Sequence, residues 1–219
     1  MVREINIKRH VAVLAIVTLV FIIGVFIGMR QGLDAVSALG QDYESISMSS
    51  AMMDTLYLVE DSGMNASESC EVYSSLFERF SSDISDFNHR MWVLEEQLGK
   101  RDPALLSLKD KFNTLEVRNY LLLKKVDRVC KENHTVILYF YSNKNYDPER
   151  DQGEVIQQVI RKNETIVYHF DTDIPNPSVE MLIKKYQVFV TPSIVVNDKM
   201  YSGFQDKEAL EKILEGLEE

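Results

Sequence analysis

The stretch KKYQVFVTPSIVVNDKMYSGFQDKEALEKIL, residues 184–214, decides the fold of the C-terminal part of the chain. An apolar VFV run (188–190) leads into Thr191-Pro192 and then into IVVN, whose β-branched residues are typical of a strand. A polar turn follows, then the short strand MYSGF, and an amphipathic helix is expected from Asp206 to Leu217. The stretch therefore predicts an antiparallel β-hairpin followed by a terminal helix.

Two further strands precede this hairpin. TVILYFY (135–141) and TIVYHFD (165–171) are β-branched and aromatic runs of strand length. Helices are predicted from about Asp151 to Lys162, between the two strands, and from Ser178 to Tyr186 after the second. The predicted order is β-α-β-α-β-β-α, with two parallel strands and then an antiparallel hairpin.

This order resembles the thioredoxin fold. In that family a V-x-x-T-P segment places a cis proline before the third strand, and a glycine in the hairpin precedes the last helix. Val188 to Pro192 and Gly203 occupy those positions here. The resemblance covers about residues 135–217, under two fifths of the chain, and implies a thioredoxin-like domain over 134–219.

The sequence departs from the family at the position of its redox cysteines. Thioredoxin-like oxidoreductases carry CxxC after the first strand, where the N-terminus of a helix stabilises a thiolate. The corresponding segment, 143–150, reads NKNYDPER, and the alignment puts Tyr146 and Glu149 in place of the two thiols. Neither residue can exchange disulfides, so we expect no catalytic residues and no cofactor in this domain.

The resemblance still implies a peptide-docking surface. In the family, the backbone beside the cis proline offers hydrogen bonds to an extended segment, a form of strand addition. Thr191 and Pro192 are the candidate peptide-binding residues by position, together with Tyr146 and Glu149. The alternative is that Pro192 only fixes a turn and ends the strand.

The middle of the chain is predicted to be helical. Helices are expected over 34–62, 67–98 and 103–132, and the short linker 99–102 predicts that the last two fold into an antiparallel hairpin. Apolar residues of the third helix alternate at spacings of three and four, with Asn119 as a polar break in this heptad seam.

The two cysteines become informative in such a hairpin. Cys70 and Cys130 lie at similar distances along the chain from the turn near Arg101, so they should be level with each other at the open end. A disulfide between them would close a long loop and stabilise the fold by about 4 kcal/mol. Two separate buried thiols, or a redox-active pair, are the alternatives.

Residues 11–29 form an uncharged apolar run that is about 28 Å long as a helix, close to the thickness of a bilayer core. The run predicts a transmembrane anchor after a short cytoplasmic N-terminus (1–10) and before a helical stalk region (30–133). A cleavable signal peptide is the alternative, with Val36-Ser37-Ala38 as the small-residue site.

The flanking charges predict the orientation. Three basic residues precede the anchor, whereas only Arg30 lies close behind it, so the positive-inside rule places the body outside the cytoplasm. The residues beyond Arg30 include 20 basic and 33 acidic side chains, a net charge of −13. An exported body agrees with three weak candidate glycosylation sites at Asn65, Asn133 and Asn163.

Composition limits the possible partners. The whole chain of 219 residues has a net charge of −10, which argues against a general nucleic-acid binder. Two cysteines and four scattered histidines predict no metal site. A homodimer could form through Gly24-x-x-x-Gly28, which would let two anchors approach closely, or through the helical hairpin.

Three functions remain open from the sequence. The favoured one is a membrane-anchored, single-pass protein whose redox-inactive thioredoxin-like domain binds a polypeptide client or a partner subunit. A second uses Cys70 and Cys130 as a redox pair of an oxidoreductase-related protein. A third is a structural subunit of a membrane assembly, in which Asn119 sets the register with another helix.

Overall fold

A long helix begins the described part of the chain. The structure, a computed structural model, describes residues 7–60, 65–99, 101–144, 146–160 and 165–216. Helix α1 (Ile7–Glu60) is continuous and joins the predicted anchor to the predicted helix that follows it. Its window His10–Gly28 has a mean hydropathy of 3.0 and is not buried against the rest of the protein. Among the described helices, this is the one long and apolar enough to cross a membrane.

The next two helices have well-defined starts. Helix α2 (Ala66–Leu98) begins at Asn65, whose side-chain oxygen accepts the Glu68 N–H in a capping box. Helix α3 (Pro103–Cys130) begins at Asp102, whose carboxylate accepts the N–H groups of the next two non-proline residues. The turn between them is short, so α2 and α3 are antiparallel, as predicted.

The C-terminal part of α1 packs against this hairpin and makes a three-helix bundle. Leu39 and Ile46 of α1 are buried in its core. Arg118 of α3 donates to the Ser50 hydroxyl at 2.9 Å. At the closed end of the hairpin, a Cβ on Gly32 would lie 2.8 Å from a Leu98 methyl, so α1 passes close to the end of α2 here and a larger residue would require Leu98 to move. The sequence predicted the helix in α1 but not its packing.

The sheet follows the bundle in the chain. Its elements, in order, are β1 (Thr135–Tyr141), α4 (Tyr146–Ile160), β2 (Thr165–Asp171), α5 (Pro177–Tyr186), β3 (Ser193–Val196), β4 (Lys199–Ser202) and α6 (Lys207–Glu215). The strand order is β2-β1-β3-β4; β1 and β2 are parallel, and β3 is antiparallel to both β1 and β4. This is the predicted order of elements.

One helix boundary was wrong. The sequence predicted a polar loop up to Arg150 and a helix from about Asp151, but α4 begins at Tyr146. Pro148 therefore lies in the first turn of α4. Main-chain N–H groups in the first turn of a helix have no intrahelical acceptor, so a proline, which lacks this group, is tolerated there. A proline near the start of a polar segment is compatible with both a loop and a helix start.

The sheet separates two layers of apolar side chains. Ile137 and Tyr139 of β1 face a core built with α4 and α6. The alternate residues of β1, which include Leu138 and Phe140, belong to a larger core shared with α5 and the helical bundle. The predicted stalk and the C-terminal domain are thus joined through one hydrophobic core, with α3 at its centre.

Asn119 is part of this junction and does not face another chain. Its side chain is 1% exposed. The Tyr168 hydroxyl of β2 donates to the Asn119 oxygen at 2.7 Å, and the Asn119 amide donates to the Ser81 hydroxyl of α2 at 3.1 Å. The hypothesis that Asn119 sets the register with a partner helix is therefore wrong, because its hydrogen bonds are made within this chain.

The two cysteines lie level at the open end of the hairpin. The sulfur atoms of Cys70 and Cys130 are 2.11 Å apart, a disulfide distance, and the Cα atoms are 5.0 Å apart. The Ser74 hydroxyl of α2 lies 3.3 Å from the Cys130 sulfur. This geometry places the pair where a cross-link would hold α2 and α3 together.

We expect a Cys70→Ala/Cys130→Ala variant to lose about 4 kcal/mol of unfolding free energy, because a cross-link over this sequence separation of 60 residues restricts the unfolded chain. The measurement is urea unfolding of the full chain in detergent without reductant. Ser74→Ala is the matched control, since it removes a neighbouring polar group and keeps both cysteines. Equal midpoints for the wild type and the double variant would contradict the disulfide.

Candidate functional site

Thr191 and Pro192 lie at one end of the sheet. Pro192 is buried, and the Thr191–Pro192 peptide bond is cis. The paired part of β3 begins at Ser193, opposite Phe140 of β1 and Ser202 of β4. The Ser193 hydroxyl donates to the Val190 carbonyl at 2.7 Å and closes the loop. The main chain of Thr191 therefore lies just beyond the hydrogen-bonded ladder.

Three apolar side chains are exposed at this end of the sheet. Phe189 is 85% exposed, and Val190 is 52% exposed. Phe204, 45% exposed, follows Gly203, whose positive φ of 78° turns the chain away from β4. We call Phe189, Val190 and Phe204 the apolar rim. A group of exposed apolar side chains in one region of a surface marks an interaction site more often than a single exposed apolar side chain does.

The other predicted peptide-binding residues are only partly described. Tyr146 and Glu149 fall in the first turn of α4, after the end of β1, but their side chains lie outside the described residues. Their contact with Thr191 stays a prediction.

The three candidate glycosylation sites differ in their surroundings. Asn133 is exposed in the segment between α3 and β1. The Asn65 side chain caps α2, so its oxygen is already used by the Glu68 N–H. Asn163 lies outside the described residues.

A second group of functional candidates was not predicted. Lys109 of α3 is 7% exposed and contacts the carboxylate of Glu95 on α2. Its ammonium also lies 3.5 Å from the Asp171 carboxylate of β2 and 3.5 Å from the Tyr141 hydroxyl of β1. We call Glu95, Lys109, Tyr141 and Asp171 the buried charge cluster. It lies where the C-terminal ends of β1 and β2 meet the first half of α3.

The charges in this cluster depend on each other. Burial alone would lower the pKa of Lys109, but the oxygens of Tyr141, Glu95 and Asp171 outweigh it and leave that pKa raised. Burial raises the pKa of Asp171, against the effect of the Lys109 ammonium. Burial also raises the pKa of the Tyr141 hydroxyl, which therefore stays neutral. The cluster is a compensated set of charges around one buried ammonium.

Two more ionisable groups adjoin the edge strand β2. Glu116 of α3 is 3% exposed, and its carboxyl accepts the main-chain N–H of His169. Burial raises the pKa of Glu116 to about 8. Burial lowers the pKa of His169 to about 4, so its ring is neutral near pH 7. Glu116 thus occupies a hydrogen-bonding position on the free edge of the sheet, which blocks pairing with another strand there.

The sequence contains only a weak signal for these residues. The buried polar residues of α3 follow helical spacing, at positions 109, 113, 116 and 119. A polar stripe on a helix is usually exposed, and nothing in α3 alone distinguishes a stripe that will face a sheet. The acidic partners on α2 and β2 lie far away in the sequence.

Among the described residues, no group of three or more histidine, cysteine, aspartate or glutamate side chains could hold a metal ion. The two candidate surfaces are the apolar rim beside Thr191 and the charged region beside β2.

Comparisons with known proteins give only distant likenesses. No family model matches the chain, and no curated protein matches it. A solved structure described as that of a malarial protein is similar over 38% of this chain and 97% of its own, with 19% identity and a TM-score of 0.33. A chloroplastic thioredoxin z is similar over 44% of this chain and 88% of its own, with 18% identity and a TM-score of 0.35. A distant structural neighbour is thus a thioredoxin-type protein.

We expect Glu116→Gln to stabilise the protein at alkaline pH. The folded-state pKa of about 8 exceeds the ordinary value of 4.5, so the stability contributed by protonated Glu116 is complete below pH 4.5 and is lost as the pH rises through 8. Glutamine keeps the acceptor and never ionises. The variant should exceed the wild type by roughly 2–4 kcal/mol above pH 8 and match it in acid.

The measurement is the unfolding free energy of the full chain in detergent across this pH range. Glu44→Gln, an exposed change on α1, is the control and should show the wild-type pH dependence. A constant difference between Glu116→Gln and the wild type at all pH values would contradict the raised pKa.

Proposed function

We propose that this chain is a membrane-anchored, extracytoplasmic protein whose thioredoxin-like domain binds an extended polypeptide segment at Thr191–Pro192. The observation that carries the proposal is the apolar rim, which is exposed directly beside main chain that lies beyond the paired strands. An extended segment could add hydrogen bonds at Thr191 and place apolar side chains against Phe189 and Phe204.

The arrangement of the sheet supports the thioredoxin-like assignment. Two parallel strands are followed by an antiparallel hairpin, and helices cover both faces. The helix after β1, α4, starts without a cysteine in the segment where the family carries CxxC. Disulfide exchange at this position has no thiolate to begin it, so binding is the family property that this domain could retain.

The position of Cys70 and Cys130 supports binding over redox exchange. The start of β1 lies beside the open end of the hairpin, because His134 contacts Asp127 of α3 at 2.6 Å. Thr191 lies past the other end of β1, a strand of seven residues that spans about 23 Å. A client held at Thr191 would be far from the two sulfur atoms.

The same geometry directs the apolar rim toward the anchor. The closed end of the hairpin packs against Gly32, shortly after the apolar window ends at Gly28. The C-terminal end of β1 lies beside the first half of α3, as the contact between Tyr141 and Lys109 records. These contacts support a binding surface at the end of the body that is nearer the apolar window.

We expect Phe189→Ser/Phe204→Ser to weaken client binding at least tenfold, because each aromatic group removed from an interface centre typically costs more than about 1 kcal/mol. The probe is a carboxymethylated, permanently unfolded polypeptide carrying a fluorophore. The measurement is its fluorescence anisotropy with the full chain in lipid nanodiscs.

Leu121→Ser on α3 is the matched control, since Leu121 is exposed to a similar degree as Phe204 but belongs to the helical bundle. It should bind the probe as the wild type does. If the double variant and the control bind the probe equally well, the site assignment is wrong.

The orientation has its own test, based on the basic residues that precede the anchor. In intact cells, a membrane-impermeant maleimide should label Cys70 and Cys130 only after treatment with an impermeant strong reductant. An Asn6→Cys change provides a cytoplasmic control that should react only after lysis. Labelling of Cys70 and Cys130 that requires lysis would reverse the proposed topology.

A further inference from the structure

An open cleft of about 1010 Å³ lies beside the edge strand β2 and is separate from the proposed peptide site. One wall is the C-terminal part of α2, the opposite wall is α4, and β1 and β2 form the floor. No described residue that lines the cleft belongs to the segment 188–204. An inference about this cleft therefore does not depend on the proposed function.

The described lining has an excess of negative charge. Glu95, Glu96 and Glu154 contribute three carboxylates, and Lys109 contributes the one ammonium. This ammonium is already paired, because it contacts Glu95 and lies 3.5 Å from Asp171 beneath the floor. A ligand that enters the cleft would therefore meet the exposed carboxylate of Glu96, while the Lys109 ammonium is already neutralised by its partners.

Aromatic rings lie on two sides of the cleft. On α2, the Trp92 ring is stacked with His89 at a centroid distance of 6.3 Å and is 57% exposed. On the floor, Tyr139 and Tyr141 are stacked at 5.4 Å. The Lys109 ammonium lies 3.5 Å from the Tyr141 hydroxyl and 5.9 Å from the centre of that ring, so it lies at the hydroxyl end of the ring and leaves the ring faces to other groups.

The floor also contains an unsatisfied polar atom. The Nδ1 atom of His169 is buried and has no hydrogen-bond partner among the described residues. The His169 ring also packs against the Tyr139 ring in a T-shaped arrangement, with the ring centroids 6.0 Å apart. A neutral imidazole nitrogen in such a place can accept a hydrogen bond from a donor that enters the cleft.

From these observations we propose that the cleft binds an organic cation through an ammonium or guanidinium group. The group would lie between the Trp92 and Tyr141 rings, with Glu96 as the exposed carboxylate partner. Ring faces and carboxylates together favour weakly hydrated organic cations, and such groups also carry several N–H donors. The cation could come from a free polyamine or from the basic side chain of a peptide.

Trp92 is the single tryptophan of the chain, so its fluorescence reports directly on the cleft. The experiment titrates spermidine, acetyl-arginine amide and acetyl-lysine amide into the full chain in phosphatidylcholine nanodiscs, whose zwitterionic lipid does not itself attract cations. We expect a saturable change in Trp92 fluorescence that weakens in high salt. Tighter binding of spermidine would identify a free polyamine as the source, and tighter binding of an amide would identify a peptide side chain.

Glu96→Gln should raise the dissociation constant about two- to fivefold, the effect of losing one exposed ion pair. Glu180→Gln, an exposed change on α5 outside the cleft, is the matched control and should leave it unchanged. The proposal is overturned if no cation gives a saturable change in Trp92 fluorescence up to about 10 mM. A dissociation constant of that size corresponds to a binding free energy of only roughly 3 kcal/mol. It is also overturned if Glu96→Gln binds as the wild type does, or if sodium glutarate changes the fluorescence equally.

Discussion

Helix α3 packs on both sides, and the rest of the structure depends on this constraint. One side meets α1 and α2 in the bundle, and the other meets β2 and α5. Thirteen residues of α3 are buried, among them Leu115 and Leu122, so much of the helix surface is removed from solvent. Polar residues on α3 are consequently buried as well, and each needs a partner from a neighbouring element. Asn119, Lys109 and Glu116 find theirs on α2, β1 and β2.

This double packing explains which parts of the fold could be predicted. The strands were predictable because runs such as TVILYFY have a composition that few helices share, and the hairpin followed from a capped helix start at Asp102. The docking of the hairpin on the sheet was not predictable. In the sequence, Lys109 and Glu116 look like part of an exposed polar stripe. The groups that make their burial possible, a carboxylate on α2 and a main-chain N–H on β2, are distant in the sequence.

The candidate sites divide in the same way. Thr191 and Pro192 were predicted from a local segment, whereas Phe204 joins them only because the β3–β4 hairpin returns the chain to the same end of the sheet. The sequence also did not show which apolar side chains are exposed to solvent. A sequence does not distinguish the buried Val188 from its exposed neighbour Phe189, because both belong to one apolar run. The cleft beside β2 needed three-dimensional information throughout, since its walls come from α2 and α4.

The continuity of α1 gives these surfaces a defined position in the proposed membrane setting. From residue 29 to Glu60 the helix extends about 48 Å beyond the apolar window, and much of that length packs against the bundle. A flexible linker would let the body rotate and would spread the binding surface over a large volume. A helix that is continuous with the apolar window and buried at Leu39 and Ile46 would instead fix the height and rotation of the body in that setting. In the proposed topology, the apolar rim would then lie at the end of the body nearer the anchor, within reach of a partner close to the bilayer.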